Sequence, residues 1–237
     1  MKIKPILFST PMVQAILNGS KTKTRRTQGL EKFNTNPDWF IYEGKSSHKQ
    51  SNGSYAHYME HCDVRVNPLE KYSPVECKLK KGDILWVRET FAEYSKEITD
   101  ATYVYKADVD KNMQEVLEVY KHNKLVSNWK PSIFMPKKAC RIFLEVADIR
   151  LERLQNISEE DARDEGASQG IKIDDFVKLV NASSKLTKQS ALNPMSTYKL
   201  GFMKIWADIN GLDNWQSNPW VWVYTFKKCD KPQNFLQ

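Results

Sequence analysis

Short apolar runs separated by turn residues divide the chain into predicted β-strands. The runs lie at residues 6–8, 84–87, 103–105, 142–146 and 220–226. The clearest pattern is the fourth, where Ile142, Leu144 and Val146 alternate with other side chains and the apolar signal continues to Leu154. The last run is aromatic on one face and carries smaller side chains on the other, which is typical of a strong strand.

Two short helices are predicted beside the stretches that carry the candidate chemistry. The first opens with Pro11 and ends at Gly19, because proline suits a first helical turn and glycine suits the residue after a last one. The second opens at Ser158, which begins a capping-box-like sequence. Gly166 stops this helix, so we expect Glu165 to be its last residue.

Apolar residues at helical spacing predict two more helices. One contains Met113, Val116, Leu117 and Tyr120. The other is capped by Ser196, ends at Gly211, and carries an apolar face of Tyr198, Phe202, Ile205, Trp206 and Ile209. We expect both to serve packing.

The remaining segments lack a regular period. Residues 28–80 are predicted to form a long insertion or lid. Residues 167–195 are predicted to combine a helix at about 174–180 with a mobile loop. Residues 129–137 are predicted to be extended, because two prolines bias the residues before them away from helix. No internal repeat is visible. These patterns predict one α+β domain over residues 1–230, a small mixed β-barrel with peripheral helices and long loop insertions.

Composition supports a folded protein with an affinity for anions. Of the 237 residues 41% are hydrophobic, and the formal net charge is +7. A basic balance favours anionic partners such as nucleic acid, although a well-solvated surface explains it equally well. The N-terminus lacks a secretory core and no segment approaches a membrane span, so we expect a soluble, unexported protein without a membrane partner.

The four cysteines, at positions 62, 77, 140 and 229, form no CxxC pair. Such usage fits free thiols in a reducing compartment, and we expect a cytoplasmic location. His57, His61 and Cys62 with Cys77 offer ligand types for a metal, but their spacing matches no standard zinc module. We therefore expect solvated histidines and no metal.

Familiar nucleotide and hydrolase motifs are absent or out of context. No Walker loop, GxGxxG or zinc-deaminase signature occurs, so no cofactor is expected. Residues 166–170 match GxSxG, but no strand precedes them and every histidine lies earlier in the chain. This order argues against a serine hydrolase.

The basic stretch at residues 19–26 is the first candidate for chemistry. Lys21 lies on the exit turn of the first helix, and strand alternation places Thr24 and Arg26 on one face. A lysine beside other cations becomes a better base, a threonine offers a hydroxyl, and an arginine offers a fork for an oxyanion or phosphate. Lys23 and Arg25 are predicted to face outward. The alternative is that all these cations line a solvated edge strand.

Acidic side chains supply the second candidate. Glu165 at a helix C-terminus faces the negative end of the helix dipole, which should raise its pKa and suits a general acid or base. The alternative is that Glu165 only continues an acidic surface. Arg88 and Glu89 end an apolar strand and could reach a site or form a structural ion pair.

Several motifs together resemble a known family. Gly19-x-Lys21-x-x-Thr24-x-Arg26 is similar to the GxKxxExR signature of ASCH domains, in the subgroup with threonine in place of glutamate. The resemblance extends over most of the chain outside residues 28–76 and 168–195. It includes the segments at 5–8, 82–89, 129–133, 157–162 and 218–222, which look like ASCH proteins of bacteria, phages and prophages.

The resemblance implies a PUA-like barrel that recognises RNA or a modified nucleoside. In N4-acetylcytidine amidohydrolases of this family the proposed catalytic set corresponds to Lys21, Thr24 and Glu165, the last being the eighth residue counted from Ser158. The residues expected to bind substrate are Arg26, Trp86, Arg88, Glu89, Trp129, Ser132 and Trp220. A non-catalytic RNA-binding module and a ribonuclease remain alternatives.

Overall fold

The computed structural model of the chain describes residues 1–35, 39–42, 58–61, 77–95, 102–169 and 197–236. The strands are β1 (Ile3–Leu7), β2 (Lys23–Arg26), β3 (Trp39–Tyr42), β4 (Tyr58–His61), β5 (Ile84–Arg88), β6 (Phe91–Glu93), β7 (Tyr103–Tyr105), β8 (Phe143–Arg153) and β9 (Trp220–Cys229). The α-helices are α1 (Thr10–Leu17), α2 (Glu31–Asn34), α3 (Lys111–His122), α4 (Glu159–Asp164), α5 (Thr197–Asn210) and α6 (Leu212–Gln216).

A mixed five-stranded sheet has the strand order β1-β5-β8-β9-β2. Strands β1 and β5 are parallel, whereas β5 pairs with β8 and β2 pairs with β9 in antiparallel fashion. Strands β3 and β4, and strands β6 and β7, form two further antiparallel sheets of two strands each. The predicted α+β class is confirmed, and the described residues contain no closed barrel.

The chain forms two compact units. The first unit contains Met1–Thr22, Gly82–Ala147 and Phe226–Gln237, and the second contains Lys23–Lys81 and Asp148–Thr225. Each unit is therefore assembled from segments that are distant in sequence. The assignment of one domain to residues 1–230 stays a prediction.

In the first unit, β5 is buried along most of its length and pairs with β1 in register from Ile3 opposite Ile84 to Leu7 opposite Arg88. Helix α1 has Ser9 at its N-cap, and its first turn contains the predicted proline. Gly19 follows with φ +81°, a left-handed conformation that glycine adopts without strain. The predicted first helix is confirmed.

Helix α3 contains the four apolar residues that predicted it but does not bury all of them. Leu117 is buried, whereas Met113 and Val116 are 41% and 48% exposed. Asp110 caps the helix by accepting a hydrogen bond from the Met113 amide at 2.8 Å. The spacing of apolar residues therefore located the helix correctly but overestimated how much of it is buried.

The segment predicted to be extended contains two 3-10 turns, Ser132–Phe134 and Lys137–Ala139. Pro131 and Pro136 each occupy the position before a turn, with ψ 149° and 157°. The prediction was wrong here because proline restricts itself and the preceding residue but leaves the next residues free to turn.

In the second unit, β9 separates two clusters of apolar side chains. Val221 and Val223 pack with α5 and α6, whereas Trp222 and Tyr224 pack with Leu30 of the connection before α2. All four strand residues are buried. The alternation of aromatic and smaller residues thus corresponds to two different cores. Helix α6 was not predicted from the sequence.

The two predicted insertions are described only in part. Within residues 28–80 the structure contains α2 and the β3–β4 hairpin, so this segment carries regular elements. Residues 170–196, which include the helix predicted at about 174–180, most of the predicted loop and the capping Ser196, lie outside the described residues. No helix in the described ranges has both the length and the apolar character needed to span a bilayer.

Candidate functional site

Thr24 on β2 is completely buried and lies opposite Tyr224 of β9. Its hydroxyl accepts a hydrogen bond from Nη1 of Arg26 at 2.8 Å. The same nitrogen donates to the carbonyl oxygen of Arg25 at 3.0 Å. The predicted pairing of Thr24 with Arg26 on the strand is therefore present. This hydrogen bond holds the Thr24 hydroxyl and the Arg26 guanidinium in contact.

Arg25 does not face outward as predicted, because it is only 1% exposed. Its guanidinium donates to Glu152 at 2.9 Å, to Asp161 at 2.9 Å and to Glu165 at 3.0 Å. A planar guanidinium can satisfy several carboxylates at once through its fixed set of donors. The carboxylates compensate the buried charge, which is why an arginine is tolerated at this position.

Burial alone would lower the pKa of Arg25, but attraction by the surrounding carboxylates outweighs it and raises that pKa. Glu165 and Glu152 make the largest of these favourable contributions. The guanidinium carbon also lies 5.6 Å from the ring centroid of Phe202 on α5. Arg25 is thus a fixed internal cation.

The ion pairs continue on both sides of this arginine. Lys23 contacts Asp161 at 2.6 Å and Asp164 at 2.9 Å. Arg150 of β8 pairs with Glu152 at 3.1 Å and with Asp161. We call this set the Arg25 network; its members are Lys23, Arg25, Arg150, Glu152, Asp161, Asp164 and Glu165.

Asp161 contacts all three cations of this network. Burial would raise the pKa of its carboxyl, but hydrogen bonding by Lys23 and the charges of Arg150 and Arg25 lower it below its ordinary value. The residue is also the third position of α4, where its amide donates to the Ser158 hydroxyl at 3.0 Å. The capping serine predicted from the sequence thus also positions a member of the network.

Glu165 is the C-cap residue of α4, which ends one residue earlier than predicted, at Asp164. Gly166 follows with φ +81° and provides the expected stop. Glu165 is 4% exposed and is held by Arg25, so it is not part of a solvated acidic surface.

Burial lowers the pKa of Arg26, and the charges of Glu165 and Tyr224 partly oppose this effect.

Lys21 belongs to the first unit and is 2% exposed. Its amide donates to the Ala15 carbonyl at 2.9 Å, which ties the exit turn to α1. Its Nζ lies 5.6 Å from the ring centroid of Phe8. The alternative of a solvated edge strand is therefore wrong for Lys21 as it is for Arg25.

Glu89, also in the first unit, is paired with Arg141 and is 1% exposed. Two bonds of 2.9 and 3.0 Å join this guanidinium to the carboxylate, and the guanidinium also stacks on Tyr105 at 3.9 Å. Burial raises the pKa of Glu89, and Arg141 opposes this effect. Arg88 instead donates to the carbonyl of Ile133.

The three tryptophans expected to bind substrate are already in contact with side chains of the protein. Trp86 is 7% exposed and lies in the core of the first unit, with its ring 5.7 Å from that of Phe235. Half-buried Trp129 has the Lys121 ammonium 5.4 Å from its ring.

In the second unit, Trp220 is half-buried and has the Arg153 guanidinium 4.4 Å from its ring. Ser132, in the first unit, is half-buried and accepts a hydrogen bond from the Met135 amide at 3.1 Å through its carbonyl. Burial therefore favours a packing role for Trp86 and leaves Trp129 and Trp220 partly accessible.

Cys77, Cys140 and Cys229 are free thiols. Within the described ranges, no three side chains of histidine, cysteine, aspartate or glutamate are arranged to hold a metal ion. His57, Cys62 and the side chain of His61 lie outside the described residues, so the expectation for them stays a prediction.

Sequence reasoning missed the partners that hold the candidate residues. Glu152 and Arg150 lie two apart on β8, and Arg141 precedes that strand. A signal was present, because a strand rich in cations and a helix rich in carboxylates are complementary in charge. Pairing the two elements required knowledge of which strand lies beside which helix.

The candidate residues divide between the units, with Thr24, Arg26, Glu165 and Trp220 in the second and the others in the first. No family model, no curated protein and no solved structure matches the chain.

Proposed function

We propose that the chain is an ASCH-type protein that recognises RNA or a modified nucleoside and hydrolyses the amide of an N-acylated cytidine-type nucleoside. The observation that carries this proposal is the set of buried polar groups in the second unit. There a fully buried threonine hydroxyl is bonded to Arg26, and the nearly buried carboxylate of Glu165 is held by Arg25. A buried carboxylate and a guanidinium bonded to a hydroxyl are candidates for acid–base and oxyanion chemistry.

In the proposed reaction, water attacks the acyl carbonyl and its proton passes through Glu165 to the leaving exocyclic amine. A carbon–oxygen bond forms, the carbon–nitrogen bond breaks, and acetate and cytidine result when the acyl group is acetyl. Arg26 steadies the developing oxyanion, and Thr24 orients the attacking oxygen. The resemblance adds Lys21, which precedes Thr24 by three residues, as the group that assists activation.

The proposal includes the PUA-like barrel that the resemblance implies and a cytoplasmic location. The α+β class and the mixed five-stranded sheet are compatible with such a barrel. A formal net charge of +7 supports an anionic partner such as RNA.

Incubation of the protein with N4-acetylcytidine, followed by chromatography of cytidine and acetate, tests this function. We expect turnover by the wild type and a fall of about 100-fold or more in kcat/KM for Glu165→Gln, because general acid–base groups contribute on this scale. Glu160→Gln is the matched control, since this side chain of the same helix is 75% exposed. A urea midpoint separates lost chemistry from lost folding, because Glu165 also pairs with Arg25.

Absence of acetate with the wild type, or full activity in a folded Glu165→Gln protein, would contradict the enzymatic proposal. Salt-sensitive RNA binding without product would instead support the non-catalytic alternative, for which the basic net charge is the favouring observation. Shortening of an RNA substrate would identify a ribonuclease.

A further inference from the structure

An exposed aromatic side chain stands on a rigid turn of the first unit. Phe134 is 68% exposed and its neighbour Ile133 is 57% exposed. Exposed apolar residues that occur singly are common on protein surfaces. Two consecutive exposed apolar residues on a fixed turn are less common, and neither Ile133 nor Phe134 is shielded from water by its own segment.

The backbone on both sides of Phe134 is anchored. Its amide donates to the Pro131 carbonyl at 2.9 Å, and the following Met135 is 1% exposed, with its sulfur accepting a hydrogen bond from the Glu89 amide at 3.1 Å. Arg88 donates to the carbonyl of Ile133. The exposed ring is therefore carried on a fixed support, and a ligand that binds it does not have to order a flexible loop.

The surroundings of this ring are basic. Residues 129–139 contain three lysines and no acidic residue. Lys137 and Lys138 are exposed on the turn that follows, and Arg88 adds its charge beside Ile133. We call the group formed by Arg88, Ile133, Phe134, Lys137 and Lys138 the Phe134 surface.

We propose that the Phe134 surface binds single-stranded nucleic acid, with a base stacked on Phe134 and phosphates held by Lys137 and Lys138. An accessible aromatic ring flanked by cations is the arrangement that binds single strands irrespective of sequence. Two apolar side chains are too few for a stable protein interface, which buries about 800 Å² on each partner. The choice of partner rests on the proposed function, but the Phe134 surface shares no residue with the Arg25 network.

Fluorescence anisotropy with a labelled oligouridylate of about 12 nucleotides, and with its DNA counterpart, tests the proposal. We expect Phe134→Ala to weaken oligonucleotide binding at least about fivefold, because the stacking of one base is lost. Phe134→Trp should retain the wild-type affinity, because tryptophan also stacks on a base. Val119→Ala, which removes another exposed apolar residue in the same unit, is the matched control. Comparison of the affinities for the RNA and the DNA oligonucleotide identifies the preferred nucleic acid.

Substitution of Lys137 and Lys138 together by alanine tests the phosphate contacts. We expect the slope of log affinity against log salt to fall by about 1.4, since each single-strand phosphate contact contributes about 0.7. The double alanine variant of Lys111 and Lys204 has the same net charge, and we expect it to change this slope less. Equal changes in the two double variants would overturn the proposal.

Other outcomes also decide the matter. If Phe134→Ala leaves oligonucleotide binding unchanged, the proposal is overturned. It is also overturned if Phe134→Ala reduces binding to vesicles with anionic headgroups but not binding to oligonucleotides. Hydrolysis of free N4-acetylcytidine is measured with the same variants and should not change. Missing acetate release with Phe134-dependent oligonucleotide binding would therefore defeat the enzymatic proposal while leaving this one supported.

Discussion

Arg25 is an arginine in the interior of the second unit, held by carboxylates from β8 and α4. Isolated burial of a charge is very unfavourable, so the stability of this residue depends on its partners. Removing one partner of a buried ion pair leaves the other charge without compensation. The side chain is therefore more sensitive to substitution than any exposed cation of the same segment.

We expect Arg25→Met to lower the free energy of unfolding by roughly 3–5 kcal/mol, because it leaves buried carboxylates without their shared cation. Chemical denaturation measures this change. The control is Arg163→Met on α4, whose side chain is 56% exposed and whose carboxylate contacts are 3.8 Å long. There we expect a loss of at most about 1 kcal/mol. Equal effects of the two substitutions would show that Arg25 contributes no more than a surface charge.

At the scale of elements, α5 packs closely on the chain that follows α4. A Cβ atom placed on Gly201 would lie 2.3 Å from the carbonyl oxygen of Ser168 and 3.5 Å from Cβ of Ala167. No real Cβ approaches a backbone oxygen so closely, and that oxygen cannot move away as the end of a side chain could. Glycine at this position is thus required by the contact between the helix and the segment after Gly166.

Gly201→Ala should reduce the free energy of unfolding by about 1–3 kcal/mol because of this overlap. In an unobstructed helix the same change would stabilise the protein by about 1 kcal/mol, so the two expectations differ in sign. Thermal and urea unfolding measure the difference. Asp208→Ala on the same helix is the control, since this side chain is 60% exposed and its loss should change stability by no more than about 0.5 kcal/mol. A more stable Gly201→Ala protein would contradict the described packing.

At the scale of the whole molecule, each compact unit is assembled from separated segments of the chain. Strand β8 begins in the first unit and ends in the second, and β9 begins in the second and ends in the first. The segment after β9 contributes Phe235, which is 1% exposed and packs edge-on to Phe143 at 4.8 Å. The core of the first unit therefore includes a residue that follows the last strand.

We expect Phe235→Ala to destabilise the protein by roughly 3–5 kcal/mol, because it removes a buried ring from the core of the first unit. Leu236→Ala tests the neighbouring position, which is 56% exposed, and should have an effect within about 0.5 kcal/mol. Denaturant midpoints of the two variants give the comparison. Similar midpoints for both would show that this segment is not part of the core.

Local features could be predicted from single stretches of sequence. Ser158 begins α4 and Gly166 stops it because hydroxyl capping and a left-handed glycine depend only on neighbouring backbone groups. The same holds for Pro11 at the start of α1 and for the alternation that predicts β8. The position of Glu165 at the helix end also followed, to within one residue.

Features that depend on partners distant in sequence could not be predicted. The alternation of β2 correctly separated Arg25 from Thr24, but it did not reveal which face meets carboxylates. The pairing of Glu89 with Arg141 joins residues 52 positions apart, and the obvious neighbour Arg88 turns elsewhere. Charge and periodicity are properties of a segment, whereas compensation of a buried charge is a property of two segments.

The sequence by itself determined the α+β class, the position of most helices and strands, and the candidates Lys21, Thr24 and Glu165. It did so because capping, alternation and turn formation act over a few residues. Tertiary structure alone decided that Lys21 and Arg25 are buried and that carboxylates surround the latter. The physical reason is that a cation enters the interior only where another part of the chain supplies opposite charge or other compensating contacts.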